Sequence, residues 1–301
     1  MRVLITGATG LIGSHLTKLL QAKGIAVNYL TTGRDKIQKK ENYSGFYWNP
    51  DEKEIDEESF KGVDAIYHLA GATVAKRWTD DYKKEIIESR TKSAAVLYEA
   101  LQANEHSVKQ FISASGINVY PSSLQKLYTE EEQAIDDSFL GEVVERWETA
   151  ADEFTDLGIM VTKVRIGLVL AREGGALPKM KIPASFNVGA AFGNGEQWQS
   201  WIHIRDVAGI FHHVMQNKLK GVYNAVAPNP VTNEELMEKM AAQLGKTKWL
   251  PNVPSFFLKA ALGDMAAVLL SSQLVSSEKI QKAGYEFKFK NLAKALEDLL
   301  E

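Results

Sequence analysis

Apolar residues along this chain alternate between two rhythms. Val3-Leu4-Ile5 is a short continuous apolar run ending in a glycine-containing turn. From Leu11 to Lys23 the apolar residues Ile12, Leu16, Leu19 and Leu20 fall at helical spacing, and Gly24 follows as a C-cap. Ala26 to Leu30 reads as a second strand, and Ala65 to Ala70 as a further one ending in Gly71. A long helix is expected from Thr79, an N-cap residue, to Ala103. Gln110 to Ser113 is strand again, Phe139 to Leu157 helix and Ile159 to Leu170 strand. Strands alternating with helices of this length predict right-handed βαβ units and a parallel sheet covered on both faces. The expected fold is α/β: a Rossmann-like, doubly wound parallel sheet.

After Leu170 the rhythm breaks. Ala171 to Gln199 carries Gly174, Gly175, Gly189, Gly193, Gly195, Pro178 and Pro183, and reads as loops and short pieces. Asp206 is expected to cap a helix running to Gln216, and Val222 to Val226 to form another strand. From Pro228 the pattern is mainly helical: Thr232 to Glu235 reads as a capping box, and Pro251 and Pro254 punctuate two more helices. The predicted organisation is a nucleotide-binding domain over 1–169, to which 206–226 returns. A smaller, mainly helical substrate or cap domain is drawn from 170–205 and 227–301.

Composition narrows the function classes. The 301 residues are 45% apolar and 24% charged, which excludes collagen-like and disordered chains. A net charge of -3 lacks the basic footprint of a nucleic-acid partner. With no cysteine, thiolate nucleophiles, disulfides and Cys-ligated metals are ruled out, and His212-His213 has no companions at metal-ligand spacing, so no metal site is expected. The best membrane candidate, Phe256 to Leu270, is interrupted by Lys259, Gly263 and Asp264, short of the about 20 apolar residues a span needs. A soluble, cytoplasmic protein with no membrane partner is expected, as a monomer or homodimer.

The first chemical signal is Thr6-Gly7-Ala8-Thr9-Gly10-Leu11-Ile12-Gly13, placed between the first strand and the first helix. Gly7 permits the tight turn, Gly10 lets backbone approach a pyrophosphate, and Gly13 lets the helix lie close on the sheet. The helix start offers free N–H groups to an anion, so Gly7, Thr9, Gly10, Leu11, Ile12 and Gly13 are expected to line a dinucleotide. An acidic residue at the end of strand two would bind an unmodified ribose, but this strand ends Thr31-Thr32-Gly33-Arg34, with no carboxylate before Asp35. A guanidinium there suits a 2′-phosphate, favouring NADP(H) over NAD(H).

The glycine loop, His68-Leu69-Ala70-Gly71, Ser113-Ala114-Ser115 and Trp201-Ile202-His203-Ile204-Arg205-Asp206-Val207-Ala208 together resemble the extended short-chain dehydrogenase/reductases, the NAD(P)-dependent epimerase/dehydratase proteins. The likeness spans the whole chain. Ser89-Arg90, Trp147-Glu148, Gly174 to Leu177, Gly193 to Gln197 and Leu262 to Met265 resemble the branch known only as epimerase family proteins. The resemblance implies cofactor contacts at Leu69, Ala70, Gly71 and Ser113. It also implies a Ser after strand five and a Tyr-x-x-x-Lys on the next helix, the Tyr moving a proton while Lys lowers its pKa and holds the nicotinamide ribose.

Here the chain departs from the family pattern. None of its ten tyrosines has Lys four residues later, and Phe139 to Leu157 holds no Tyr and only Arg146 as a base. Val143 or Val144 stands in the Tyr position and Trp147 or Glu148 in the Lys position. Gln199 replaces the Arg that commonly binds the diphosphate of a nucleotide sugar, and Pro121 follows Tyr120 where Gly is usual. A nucleotide-sugar epimerase is therefore not expected. Ser115 and Tyr120 are the catalytic candidates: Ser115 either orients substrate or caps the strand-five turn. Tyr120 is either a substitute acid or a buried, hydrogen-bonded phenol. Arg90 either faces the cleft or pairs with Glu88, and Glu142 with Arg146 reads as a solvated i,i+4 pair. His203 reads as a core histidine, and Trp78, Trp198 and Trp201 as pocket walls or core. The expected function is an NADP(H)-dependent oxidoreductase or epimerase-like enzyme on an unidentified small substrate, or an inactive NADP(H) sensor or scaffold.

Overall fold

The computed structural model describes all 301 residues. The apolar run at the start forms β1 (Arg2–Thr6), every residue of which after Arg2 is buried. It pairs in parallel with β2 (Ala26–Thr31) on one side and, on the other, with the Ala65–His68 strand. A strand enclosed laterally and on both faces has no solvent side, so its sequence is continuously apolar instead of alternating. Between β1 and β2 lies α1 (Leu11–Ala22).

Outside β2 lies β3 (Tyr43–Asn49), which the apolar pattern alone does not reveal. It is the last parallel strand on this side, flanked only by short antiparallel strands at Lys39–Lys40 and Glu54–Ile55, and most of its residues are half-buried. Beyond β1 the sheet continues through β4 (Ala65–His68), β5 (Gln110–Gly116), β6 (Met160–Ile166) and β7 (Gly221–Ala225), all parallel. The spatial order is β3-β2-β1-β4-β5-β6-β7. The chain winds outward from β1 in one direction and then returns to wind outward in the other. The crevice between the carboxyl ends of β1 and β4 is therefore the topological switch point, where such sheets bind ligands.

Helices cover both faces. α1 and the later helix Ile204–Gln216 pack on one, with Leu16, Leu20, Ile210, Phe211 and Val214 buried against Val3, Ile5 and Val27. On the other lie α2 (Asp80–Ala103) and α3 (Phe139–Asp152), where Leu97, Leu101, Ala150 and Ala151 meet Ile66, Phe111 and Phe154. Each fully buried side chain of this size contributes about 1.5–3 kcal/mol, so these two layers supply most of the cohesion of the sheet. Thr79 caps α2 as expected, its hydroxyl accepting from the Tyr82 N–H at 3.2 Å.

Three expectations are corrected. The single strand over 159–170 is broken at Gly167, where a Cβ would stand 2.0 Å from the Ser200 carbonyl oxygen. β6 stops at Ile166, and Leu168–Leu170 leaves the sheet to pair with Trp201–His203. Asp206 does not cap the following helix: His203 does, its Nδ1 accepting from the Arg205 N–H at 3.0 Å. Asp206 lies within the first turn and accepts from the Tyr285 hydroxyl and the N–H groups of Lys288 and Phe289, tying the C-terminal segment to the sheet. The Gly/Pro-rich stretch also holds a helix, α4 (Leu177–Ser185). With Asn233–Gln243 and Leu292–Leu300 it encloses Trp201, Leu236, Met240 and Leu296 in a separate core. Leu11 and Ile12, at the start of α1, pack against that core.

Candidate cofactor and substrate site

At the end of β1 the Thr6 hydroxyl accepts hydrogen bonds from the backbone N–H groups of Leu69 and Ala70, 3.1 Å each, clamping the ends of β1 and β4 together. Gly7 turns with φ +70, and a Cβ there would stand 2.9 Å from the Leu69 carbonyl carbon. A Cβ on Gly13 would stand 2.1 Å from the Gly7 carbonyl oxygen, so α1 starts where no other residue would let it. Gly10 is its N-cap and has no side chain to occupy the first N–H groups, which remain available to an anion. Thr9 and Gly10 are exposed, while Leu11 and Ile12 are half-buried toward the cap. A pyrophosphate fits this cradle.

One strand over, β2 ends at Thr31, and the chain turns through Gly33, whose N–H donates to the Thr31 hydroxyl at 3.2 Å. Arg34 follows, its guanidinium 3.6 Å above the Tyr47 ring on β3 and 3.8 Å from Glu54. Its side chain is 68% exposed, leaving its outer face and most of its donors open. Asp35 lies beside Gly33 on the same exposed turn.

Over β5, β6 and β7 the polar side chains are bonded to one another. Ser113 is buried and donates to the Ala114 carbonyl. Ser115 donates to Glu148 on α3 at 2.6 Å, a partner absent from both of its expected roles. Glu148 is held in bidentate fashion by Arg165, from Nε at 2.7 Å and Nη2 at 2.8 Å. Arg165 Nη1 donates to the Tyr120 hydroxyl at 3.0 Å, which in turn donates to Asn224 Oδ1 at 2.8 Å. Ser115, Arg165 and Asn224 are register partners across β5, β6 and β7, so one row of the sheet carries three members of the relay, with Glu148 reaching in from α3 and Tyr120 from the turn after β5. Burial opposes the ionisation of Glu148, but the hydrogen bonds and charge of Arg165 outweigh it and hold the carboxyl below its usual range.

Tyr120 has no exposed surface and stacks on Tyr128, the ring centroids 5.2 Å apart. Burial raises its pKa, against the opposing pull of Arg165, and its hydroxyl is engaged both as donor and as acceptor. Of the two alternatives for Tyr120, its geometry is that of the enclosed, hydrogen-bonded phenol.

Arg90 does not pair with Glu88. Glu88 pairs with Lys84 and Lys92. The Arg90 guanidinium is buried, 4.8 Å over the Trp147 ring, with Nη1 donating to the Ile86 carbonyl at 2.7 Å and Nη2 to the Ala72 carbonyl at 3.2 Å. Burial lowers its pKa to about 10. Its Nε and the Trp147 Nε1 are both enclosed without partners. Gly71 covers it: a Cβ at Gly71 would meet Arg90 Cζ at 3.0 Å. Below, His68 shares a hydrogen bond with Ser93 at 2.8 Å, and burial with the Arg90 charge pushes its pKa down to about 3.

At the same edge a cavity of about 660 Å³ opens between the start of α2, the start of α3 and the segment 259–270. Trp78 and Phe139, in edge contact at 5.0 Å, form one wall, and Lys259, Ala267 and Leu270 belong to the other. Lys83 reaches across to Asp264 at 2.6 Å. Trp201 is wholly core and Trp198 lies apart, donating to the Leu124 carbonyl, so of the three candidate tryptophans only Trp78 lines this cavity. His203 is buried, stacked on Phe289 at 3.8 Å and 3.2 Å from Asp298, and burial lowers its pKa to about 4 despite that carboxylate. Glu142 and Arg146 form a surface pair at 2.8 Å. No group of three or more His, Asp or Glu side chains is placed to hold a metal, and no helix is long and apolar enough to cross a membrane.

The buried relay and the Arg90–Trp147 stack escaped the sequence pattern. Only the register of three strands brings Ser115, Arg165 and Asn224 into line, and a lone Arg in a helix carries no mark of burial.

Comparison with known proteins agrees with this architecture. Residues 3–141 match the NAD dependent epimerase/dehydratase family, and residues 253–299 a domain of unknown function, DUF1731. An epimerase family protein of Staphylococcus epidermidis is 35% identical over 100% of this chain and 99% of its own length. One from Staphylococcus saprophyticus is 37% identical over 99% and 98%. The structure of human epimerase family protein SDR39U1 (isoform 2) with NADPH superposes with a TM-score of 0.86 at 32% identity, covering 99% of each chain. A nucleoside-diphosphate sugar epimerase from Corynebacterium glutamicum gives 0.79 at 30% identity, over 99% of this chain and 58% of that one. A Thermus thermophilus UDP-glucose 4-epimerase with NAD, at 21% identity and a TM-score of 0.77, shares the fold.

Proposed function

From the premise that this chain belongs to the NAD dependent epimerase/dehydratase family of extended short-chain dehydrogenase/reductases, we propose that it binds NADP(H) and exchanges hydride with a small substrate held in the Trp78–Phe139 cavity. The observation that carries the cofactor preference is Arg34, stacked on Tyr47 at the carboxyl end of β2 with its donors facing outward. A 2′-phosphate accepts parallel N–H bonds from a guanidinium, and the stacking presets the plane of that fork. The NADPH bound by the human relative supports the same preference. The cytoplasm, where NADP(H) is plentiful, is the proposed location.

The residues divide the work by position. Gly7 to Gly13 hold the pyrophosphate, and Leu69, Ala70 and Gly71 form the floor beneath the nicotinamide half. Hydride transfer is the chemistry a nicotinamide supplies when bound. Trp78 and Phe139 exclude water from one side of the substrate, and the Lys83–Asp264 pair lines the same cavity. With Tyr120 enclosed and Ser115 committed to Glu148, the proton for a reduced carbonyl enters from solvent or from a cavity group such as Lys83 or Lys259.

Titration calorimetry with NADPH, NADP+, NADH and NAD+ tests this. NADPH is expected to bind at least about tenfold tighter than NADH, the scale of one charge-assisted contact. Tighter binding of NADH, or no binding of any, would falsify it. The commitment of Ser115 and Tyr120 to the relay favours a second reading, an NADP(H)-dependent sensor or scaffold without turnover. Stopped-flow oxidation of NADPH across a carbonyl panel separates the two: turnover of any compound removes the sensor, while a cofactor-dependent change in oligomeric state without turnover supports it.

A further inference from the structure

Arg90 is the one cation in the chain that is both buried and held without an acidic partner at the carboxyl edge of the sheet. It is 8% exposed, and only the backbone carbonyls of Ile86 and Ala72 and the face of Trp147 compensate it. Taking a charge out of water without a counter-ion is costly. Two carbonyl dipoles and an indole face offset part of that cost and leave the positive field uncancelled. Nearby groups add no negative charge: His68 is neutral at physiological pH, and Glu148 is neutralised by Arg165.

The topology says which part of the cofactor feels this field. The cradle sets the pyrophosphate at β1, and Arg34 marks the adenosine half on the β2 side. The nicotinamide half must then extend the other way, over β4 toward β5. Gly71, at the carboxyl end of β4, is the exposed residue that separates the Arg90 guanidinium from that path.

We propose that Arg90 makes this site selective for the reduced cofactor, because its uncompensated guanidinium disfavours the positively charged ring of NADP+ and tolerates the neutral ring of NADPH. The selectivity rests on the NADP(H) reading above. A chain that holds NADPH and rejects NADP+ distinguishes the reduced from the oxidised cofactor, with or without turnover.

At an effective dielectric near 20, like charges within about 10 Å of each other repel by enough to change affinity at least about tenfold. Calorimetry on the wild-type protein should therefore show NADPH binding at least about tenfold tighter than NADP+. Because the charge is buried, the ratio should persist between low and high salt even as both affinities fall. Arg90→Met should collapse the ratio toward unity, mainly through improved NADP+ binding, while Arg90→Lys preserves it. Equal affinities in the wild type, a ratio that disappears in salt, or an unchanged ratio in Arg90→Met would each overturn the proposal. Should Arg90→Met fail to fold, the wild-type ratio and its salt dependence decide alone. If neither form binds the wild-type protein, the NADP(H) reading falls and this inference with it.

Discussion

The two ends of the sheet's carboxyl edge treat their polar groups in opposite ways. Over β1 and β2, donors are left open: the first N–H groups of α1 lack a side-chain cap, and Arg34 stands largely in solvent. Over β5, β6 and β7, donors and acceptors are spent on one another, from Ser115 through Glu148, Arg165 and Tyr120 to Asn224. Open donors cost little at an exposed edge and wait for a ligand, whereas a buried row must satisfy itself or destabilise the fold. The β1–β2 edge therefore presents unused donors. At the Tyr and Lys positions of the family pattern, Val143, Val144, Trp147 and Glu148 are buried.

The sharpest way to break this contrast is to open the closed end. Glu148→Ala leaves Arg165 buried and unpaired and should cost about 3–5 kcal/mol in urea unfolding, with cofactor affinity unchanged at temperatures where the variant remains folded. Loss of NADPH binding in the folded variant would show that the relay belongs to the cofactor site after all. The same group has a pH signature. The carboxyl of Glu148 titrates lower folded than unfolded, so its contribution is present above the unfolded pKa and is lost as pH falls through the folded one. Glu148→Gln should flatten the stability profile in that acid window and leave its slope at neutral pH alone.

Next in size is the cradle. Gly13→Ala drives a methyl to 2.1 Å from the Gly7 carbonyl oxygen and should cost about 1–3 kcal/mol by overpacking, with NADPH binding lost outright. Binding at wild-type strength would mean that α1 can shift freely, contrary to its contacts with both cores.

Tyr120→Phe removes the hydroxyl between Arg165 and Asn224 and should cost about 1–2 kcal/mol, with no change in any NADPH-dependent rate. A rate loss without a stability loss would return Tyr120 to the reacting groups. The smallest effect on stability belongs to Arg34→Ala, within about 0.5 kcal/mol for an exposed side chain. That substitution should nonetheless erase the preference for NADPH over NADH in calorimetry.

Much of the scaffold is legible in the sequence. Alternating apolar runs announced a doubly wound sheet, and the three glycines of the first turn its tight entry into α1, because both depend on neighbours a few residues apart. The β3 strand was hidden by its half-exposed position at the sheet's edge, and the 177–185 helix by its two prolines. At Asp206 the local rule for a cap pointed three residues too far along. The carboxylate there answers to Tyr285, Lys288 and Phe289, which lie about eighty residues away in sequence.

The sequence by itself determined the fold class, the glycine turn before α1, the guanidinium after β2 and the lack of any Tyr-x-x-x-Lys, since each is a local spacing. Tertiary structure decided the rest: that Ser115 and Tyr120 are consumed by a buried relay, that Arg90 lies uncompensated under Gly71, and that Trp78 alone of three candidate tryptophans lines the cavity. Burial and strand register made those assignments. They depend on which segments meet across the sheet, information that no spacing along the chain contains.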